Sequence, residues 1–513
     1  MKQSVIIIGG GIGGLFCGAI LSKEGYDVKV FEQHYKIGGG LHHFKREGVE
    51  FETGMHVIGT FQEGGILNKL CSYLGIMDKL SILPTDDDCF ELFRIGSDQK
   101  TYRYAKGAER FVETLAVEFP EEKENIKRYV QAMYDIVKEA KMFNLEISDY
   151  SVQHSPIFMV SVGDFINSFT ENEQLRAVLA LSNPLYGGEQ YKTPAYIHAI
   201  ISVLYIEGAA RFVGGSQQLA DALTDLIRQS DGEVYVRNGV KHIEIKEKES
   251  DVRQSDIENR KSQIKYIVTA DGKEHRADWY ISAIHPSSLF KLMDISKIQR
   301  SYRQRIDNIP NSYSAFTLYI IFKPESFPYL NYTGYYIDDY SQVWKHGEYV
   351  PDEFPNGMMY LTPPVTTNDK YAQKMIVNCI MSFDVVRKWE NTTVGKRGDE
   401  YMAFKKRCEE QIIGKLEKIY PDIRDCIKSV YSASPLTIRD FYNQKEGALY
   451  GVKKDCNNIM LSHIPVRTKL KNLLLTGQNI NLHGMVGTPL TAINTCGELL
   501  GLEHLLNKIN KNI

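Results

Sequence analysis

The pattern of apolar residues near the start of the chain predicts a strand, a helix and a second strand in close succession. Ser4–Ile8 (SVIII) is a short β-branched run of the kind that forms a buried parallel strand. Residues 15–23 have helical spacing, with Gly18 small enough for close packing on a sheet. Gly25 is expected to end that helix, and Asp27–Phe31 (DVKVF) to form the second strand.

Further along the chain, four segments have a clear periodicity or apolar character. Residues 121–141 carry charged and apolar residues at helical spacing, which predicts an outer helix of a cap region. Residues 194–206 (PAYIHAIISVLYI) form an uncharged apolar run that is too short to span a bilayer. We interpret it as a buried cap helix, with a wall of an apolar substrate tunnel or a membrane-dipping surface as alternatives. Ser314–Phe322 and residues 374–383 are predicted to be strands of a substrate-domain sheet.

A glycine-rich turn joins the first strand to the first helix. Gly9, Gly11 and Gly14 have the spacing G-x-G-x-x-G, with Ile12 and Gly13 between them. The first glycine permits the tight turn, the second lets the backbone approach a pyrophosphate, and the third brings helix and strand together. The helix N-terminus supplies N–H groups and the positive end of a dipole. The turn therefore predicts a dinucleotide site.

An acidic residue follows at the place where such a site needs one. Glu32 ends the second strand, 18 residues past Gly14. Its carboxylate can accept two hydrogen bonds from an adenosine ribose, whereas a site for NADP would favour arginine. Strand, turn, helix, strand and acid in register are a specific signal, although they leave NAD and FAD as alternatives.

Two short motifs follow Glu32. Gly38-Gly39-Gly40-Leu41 begins six positions after it, and residues 51–56 (FETGMH) close a short excursion of two strands. At these motifs the chain resembles the FAD-dependent oxidoreductases of the phytoene desaturase, carotenoid isomerase and retinol saturase group, which share the amine-oxidase-like flavin fold. They carry E-x(5)-GG and F-D-x-G-x-H at matching places, and Glu52 stands here where their Asp is usual.

The resemblance extends along nearly the whole chain, although it is patchy at about 90–205 and 290–430. Residues 212–215, 219–223 and 236–243 resemble the group's central helix and strand, residues 277–282 resemble the strand that returns to the flavin domain, and residues 434–437 and 446–451 resemble a segment of the saturase and isomerase branch. In that group the residue matching Val240 holds the adenine through its backbone.

The last motif lies near the C-terminus. Residues 473–479 (LLLTGQN) are predicted to form an apolar strand that turns at Gly477, and a second glycine-rich turn at 483–488 is expected to open a last helix over 491–505. In the group this stretch places backbone N–H groups at the ribityl chain and the N1–O2 edge of the flavin, where a helix N-terminus stabilises the anionic reduced form. Gln478 stands where related flavoproteins often have an acid.

These motifs together give a candidate cofactor site. The resemblance implies FAD without a covalent link, because no cysteine stands where such a link would be expected. The predicted cofactor-binding residues are Gly9, Gly11, Ile12, Gly13, Gly14, Glu32, Gln33, Gly39, Gly40, Leu41, Val240, Gly477, Gln478, Gly487 and Thr488. His56 and His483 are expected to face the flavin or the substrate. The spacing assigns no catalytic acid–base pair and no metal site.

Composition and charge exclude several classes of protein. The chain has 513 residues, of which 43% are hydrophobic and 24% charged, as in soluble globular proteins rather than disordered, fibrous or multi-span ones. Lys and Arg number 61 against 64 Asp and Glu, which gives no electrostatic reason to expect a nucleic-acid partner. The 8 cysteines are scattered without metal spacing, so we expect reduced thiols and a cytoplasmic protein without a signal peptide.

We therefore expect an α/β fold with a Rossmann-type FAD-binding domain on a parallel sheet, an inserted α+β substrate domain and a helical cap. The FAD-binding domain would comprise residues 1–85, 211–286 and 436–513. A helical cap and substrate region would cover 87–210, and a substrate-binding sheet domain would cover 287–435.

The resemblance implies an enzyme that acts on carbon–carbon double bonds of a polyene or isoprenoid-like lipid. Reduction of the retinol saturase type is favoured, with NAD(P)H or another reductant as electron donor. Desaturation or cis–trans isomerisation of carotenoid type stays open, as does peripheral contact with a membrane. An amine oxidase, which should present an aromatic cage and a lysine near the flavin, and a flavin-less lipid or prenyl-binding carrier are the remaining alternatives. The substrate and the oligomeric state are left open.

Overall fold

A parallel β-sheet has the first predicted strand at its centre. The computed structural model describes residues 2–54, 56–147, 159–246, 262–480 and 482–511, so Met55 of the 51–56 motif lies outside the described residues. The strands of this sheet are β1 (Ser4–Ile8), β2 (Asp27–Phe31), β9 (Glu233–Tyr235), β13 (Trp279–Ser282) and β19 (Leu473–Leu475). They run parallel in the order β19-β13-β1-β2-β9. The apolar residues of β1 are buried because both faces of the sheet are covered.

Helices pack on one face of this sheet and a small sheet packs on the other. The helical core contains α1 (Ile12–Lys23), α2 (Ile66–Leu74), α8 (Gln217–Gln229), α15 (Gly484–Leu500) and α16 (Leu502–Lys511). A Cβ on Gly18 would lie 2.8 Å from Ile227 Cδ1, so this glycine lets α1 and α8 approach closely. The small antiparallel sheet consists of β10 (Val240–Lys246), β11 (Gln263–Thr269) and β12 (Glu274–His275). Together these layers form the expected α/β nucleotide-binding architecture.

Two expectations about these elements are wrong. The helix expected over 491–505 is divided between α15 and α16, and α15 begins at Gly484, with Pro489 in its second turn, where the missing N–H costs only one hydrogen bond. That helix ends at Leu500, before Gly501 with a φ of 81°. Residues 236–243 do not form one strand, because the chain turns at Arg237 (φ 54°) and passes from one sheet to another.

A mixed sheet of seven strands forms the second layered unit. Its strands are β6 (Glu91–Ile95), β7 (Thr101–Tyr104), β14 (Ser314–Phe322), β15 (Thr333–Ile337), β16 (Gly357–Leu361), β17 (Lys374–Met381) and β18 (Ile427–Ala433), in the order β18-β14-β17-β16-β15-β6-β7. Only β15 and β6 pair in parallel. The two predicted strands are confirmed, although β17 ends two residues early. Residues 87–210 thus contribute two strands to this sheet as well as helices, and the domain boundaries stay predictions.

Helices of the 87–210 segment pack on one face of the mixed sheet. They are α3 (Ala108–Glu118), α4 (Lys123–Glu139), α5 (Val162–Asn167), α6 (Glu173–Leu179) and α7 (Ala195–Gly208). The uncharged run lies in α7, where even His198 is fully buried, between the hydroxyls of Tyr129 and Tyr186. Within the described ranges, no helix has the length and apolar character needed to cross a membrane.

The remaining elements connect these layers or cover their edges. They are β3 (His43–Arg46), β4 (Val49–Glu52), β5 (Ile82–Pro84), β8 (Ala210–Phe212), α9 (Pro286–Phe290), α10 (Arg300–Asp307), α11 (Asp399–Ile419), α12 (Ile423–Cys426), α13 (Pro435–Tyr442) and α14 (Ile459–Ser462). The pair β3–β4 is the predicted two-strand excursion that precedes the 51–56 motif.

Candidate active site

A cavity of about 410 Å³ lies where the carboxyl ends of β1 and β2 meet the N-termini of α1 and α15. Ligands of open α/β sheets bind at this edge. The cavity continues to the mixed sheet, where Thr317 of β14, Tyr335 of β15 and Asn378 of β17 line it. One continuous space therefore joins the edge of the parallel sheet to the face of the mixed sheet.

Most of the residues predicted from sequence meet in this cavity. Those that line it are Gly9, Gly11, Ile12, Gly13, Glu32, Gln33, Gly39, Gly40, Leu41, Val240, Gly477, Gln478 and Thr488, together with His56 and His483. Gly14 and Gly487 do not line it. A Cβ on Gly14 would lie 2.1 Å from the Gly9 carbonyl oxygen, and one on Gly487 would lie 2.5 Å from Leu482 Cβ. Both glycines therefore permit close backbone packing beside the cavity.

Glycines give the cavity wall the shape of a cradle. A Cβ built on Gly11 or Gly40 meets no described atom within 4 Å, so a side chain at either position would project into open space. Gly11 is also the N-cap of α1, whose first-turn N–H groups have no partner within the helix. Gly13 brings this helix against the second glycine turn, with its Cβ position 3.0 Å from Gly477 Cα. The cradle suits an anionic group such as a pyrophosphate.

The carboxylate of Glu32 is held at the edge of the cavity by two backbone amides. The N–H of Gly10 donates to Oε2 at 2.7 Å, and the N–H of His34 donates to Oε1 at 2.7 Å. Each carboxylate oxygen can accept a second hydrogen bond. Glu32 is therefore fixed in position and can still accept ribose hydroxyls.

His56 and Glu52 form a buried pair on the wall of the cavity. Their side chains are 8% and 5% exposed, and His56 Nδ1 lies 3.4 Å from Glu52 Oε2. The other oxygen of Glu52 accepts the N–H of Ser216 at 2.9 Å, just before α8. Glu52 thus ties this wall to the start of α8, and it orients His56 towards the cavity.

His483 is the N-cap of α15 and stands where the second glycine turn reaches the cavity. Burial lowers the pKa of its imidazole to about 4, so the ring is neutral near pH 7. Its Nε2 is buried without a hydrogen-bond partner among the described residues, and its ring lies 4.8 Å from that of Tyr450. Nε2 of His34, another residue of the cavity wall, is likewise buried without a hydrogen-bond partner among the described residues. Buried polar atoms of this kind fit a polar ligand that supplies their partners.

The part of the cavity against the mixed sheet combines apolar residues with polar ones such as Thr317 and Asn378, and the sequence does not identify which residues line it. Ala315, Ile337, Met359 and Ile380 lie on the face of the sheet that carries Tyr335, and we call the part of the cavity that they line the apolar compartment. Alternation along each strand predicts which of its residues share a face, but it does not show which face meets the cofactor. Tyr205 of α7 and Tyr450 also line the cavity, and Tyr205 belongs to the 194–206 run, for which a wall of an apolar substrate tunnel is one of the alternatives.

The Rossmann-type sheet, the glycine cradle and the acid at the end of β2 define a dinucleotide-binding protein. A family profile settles the class of cofactor. The chain belongs to the family described as flavin containing amine oxidoreductase, whose profile matches residues 12–431. The protein is therefore a flavin-dependent oxidoreductase, as the resemblance implied.

Individual relatives cover almost the entire chain. All-trans-retinol 13,14-reductase from Rattus norvegicus is 25% identical over 523 residues, which cover 95% of this chain and 84% of the relative. The 4,4'-diaponeurosporene oxygenase of Staphylococcus aureus is 22% identical over 515 residues, covering 96% and 97%. A solved structure of an oxidoreductase from Methanosarcina mazei has the same fold, with a TM-score of 0.63 at 16% identity over 96% of this chain and 99% of that one.

Proposed function

We propose that this protein uses non-covalently bound FAD to reduce a carbon–carbon double bond of a polyene or isoprenoid-like lipid. The observation that carries the proposal is the single cavity that joins the glycine cradle to the apolar compartment. A nucleotide in the cradle and a long apolar substrate in the compartment would meet within one continuous space. The names of these two relatives refer to a retinoid and a carotenoid, which supports a polyene substrate.

The residues of the cradle fit FAD. The N-terminus of α1 at Gly11 would hold the pyrophosphate, Glu32 would accept the ribose hydroxyls, and the backbone at Val240 would contact the adenine. The N-terminus of α15, with Gly477 and Gln478 beside it, would contact the flavin end. The remaining predicted residues Ile12, Gly13, Gln33, Gly39, Gly40, Leu41 and Thr488 line the space between these positions.

The apolar compartment would provide orientation and exclusion of water. When bound and reduced, FAD would supply a hydride, and NAD(P)H or another reductant would restore the reduced form. Side chains such as Ala315 and Ile337 are buried, so a polyene held against them would displace water and lie in a defined direction. His56 and His483 would then lie along the wall of the reacting region, where His483 is neutral.

The test is a single-turnover reaction without oxygen. Holoprotein reduced with a stoichiometric reductant is mixed with all-trans-retinol or a carotenoid, and the return of the oxidised flavin absorbance is followed together with product mass. We expect flavin reoxidation and a product heavier by two hydrogen atoms. Oxidation of a saturated analogue by oxidised enzyme would favour desaturation, and oxidation of a primary amine would favour an amine oxidase. Either result without polyene reduction would contradict the proposal.

Replacing Glu32 with glutamine tests the adenosine end of the site. Glu32→Gln removes the charge and one of the two acceptors, so FAD should bind roughly 10- to 100-fold more weakly, equivalent to about 1.5–3 kcal/mol for a charge-assisted hydrogen bond. The measurement is titration of apoprotein with FAD by fluorescence quenching. Glu233→Gln, at the exposed start of β9, is the matched control and should leave the dissociation constant unchanged. Equal affinity in the two variants would exclude the assigned role of Glu32.

A further inference from the structure

A buried carboxylic acid lies one hydrogen bond behind the cavity wall. Glu91 begins β6 and is only 4% exposed, and the hydroxyl of Tyr335 donates to its Oε1 at 2.9 Å. Tyr335 lies on β15, the parallel neighbour of β6, and lines the cavity. The phenol therefore connects the interior acid to the space in which we place the substrate.

The ring of Tyr335 is held in a fixed position. It stacks on Phe93 of β6 with ring centroids 4.5 Å apart, while the hydrogen bond to Glu91 fixes the hydroxyl end. Ile337, two residues along the same strand, continues the wall into the apolar compartment. A rigid donor at the edge of this compartment is what an oriented proton transfer requires.

Among the described residues, the titratable groups that face Glu91 are uncharged, and the buried guanidinium of Arg211 bonds instead to Thr333 Oγ1, on the residue paired with Glu91. Cys89 precedes it, Tyr104 faces it from β7, Tyr205 faces it from α7, and Tyr335 faces it from β15. Burial raises the pKa of each of these four groups, so all of them are neutral near pH 7. Burial likewise raises the pKa of Glu91 to about 8, against which its hydrogen bond with Tyr335 acts only in part. The carboxyl group therefore holds a proton at neutral pH.

We propose that Tyr335 donates the proton that completes reduction of the double bond, and that Glu91 positions Tyr335 and returns a proton to it. The inference rests on the proposed function. One substrate carbon accepts a hydride from reduced FAD, and the adjacent carbon accepts a proton from the Tyr335 hydroxyl. One π bond breaks and two C–H bonds form, so the substrate gains two electrons that the reductant, NAD(P)H or another two-electron donor, has supplied to FAD. For this transfer the protonated carboxyl group of Glu91 donates to the Tyr335 oxygen, which leaves the phenolic hydrogen free for the substrate carbon. Glu91 passes its proton to Tyr335 as the phenolate forms, and it regains a proton through the Tyr335 hydroxyl when water enters the cavity after product release.

Other groups on the wall are less suited to this task. The hydroxyl of Tyr450 donates to the carbonyl oxygen of Pro184 at 2.7 Å, and a carbonyl group cannot return a proton. His483 is neutral and remains a weak acid in that form. A carbanion is a far stronger base than a phenolate, so proton transfer from Tyr335 to the substrate carbon is favourable. Because Glu91 then returns a proton to Tyr335, no phenolate stays buried.

Two variants test the pair in reduced holoprotein mixed with all-trans-retinol. Tyr335→Phe should slow flavin reoxidation by at least 100-fold, because general acid catalysis contributes on the order of 10²–10⁴. Glu91→Gln should slow it about 10-fold and remove the decline in rate that we expect for the wild type above about pH 8. The matched control is Tyr336→Phe, on the same strand but with its ring in the core on the opposite face, which should react at the wild-type rate. In the wild type and in Tyr336→Phe, flavin reoxidation should show a solvent deuterium isotope effect. That effect should be smaller in Tyr335→Phe and in Glu91→Gln.

A second readout does not depend on turnover. The infrared C=O stretch of a protonated buried carboxylic acid should be present in wild type near pH 7, absent in Glu91→Gln and shifted in Tyr335→Phe. A wild type that reduces no polyene would overturn the proposed function and this inference together. A wild type that reduces the polyene while Tyr335→Phe matches it in rate and pH profile would overturn the inference alone.

Discussion

Replacing Gly11 with valine is expected to abolish FAD binding while the apoprotein stays folded. The backbone of Gly11 has φ −73° and ψ 178°, which any residue adopts, and its Cβ position meets no described atom within 4 Å. The valine side chain would therefore fill the cradle instead of clashing with protein. Loss of the close approach to the pyrophosphate should weaken FAD binding at least 100-fold, or about 3 kcal/mol.

The measurement combines FAD titration of the apoprotein with circular dichroism and thermal unfolding without cofactor. Gly414→Val is the matched control, because Gly414 lies in α11 with open space at its Cβ and is not among the residues that line the cavity. It should bind FAD as the wild type does. If Gly11→Val bound FAD with unchanged affinity, the cradle would not be the pyrophosphate site.

Replacing Glu91 with glutamine should stabilise the protein at high pH and have little effect at low pH. Burial raises the pKa of Glu91 from its ordinary value of 4.5 to about 8. Below pH 4.5 the group is protonated in both the folded and the unfolded chain. Between pH 4.5 and 8 only the unfolded chain releases its proton, so the free energy of unfolding of the wild type falls as pH rises. Above pH 8 both states are ionised and the difference stays constant.

Glutamine is neutral at every pH, so the advantage of the variant should grow from pH 5 to pH 9. The full difference is expected to be roughly 3–5 kcal/mol at 1.36 kcal/mol per pKa unit. Urea unfolding of holoprotein at the two pH values measures it, with the exposed Glu121→Gln as a control that should show no such growth. A constant difference between Glu91→Gln and wild type across this range would mean that the buried acid is not protonated.

The first nucleotide-binding unit could be predicted from the sequence because each of its signals is local. A β-branched strand, a turn at Gly9 and Gly11, a helix and Glu32 follow one another within about thirty residues, and each has one dominant physical cause. The structure places these residues on one cavity wall in that order. Gly14 and Gly487 lie behind the wall, so some glycines of these motifs permit backbone packing instead of contacting the ligand.

The rest of the site depends on pairing between distant segments. Glu91 and Tyr335 are 244 positions apart, and only the parallel pairing of β6 with β15 brings them together. Local spacing carries no signal for that pairing, so the sequence alone shows Glu91 only as the end of an ordinary strand. The start of α15 at Gly484, instead of the expected 491, has a related cause. Pro489 is a local signal for a helix start, but packing of α15 against α1 extends the helix to Gly484.

The central claim is that this cavity binds FAD without a covalent link. Purified protein should absorb as a flavoprotein in the visible range, and heat denaturation should release a chromophore into the supernatant that chromatography identifies as FAD. A colourless protein that cannot be reconstituted with FAD, or a flavin that stays with the precipitated chain, would contradict the account.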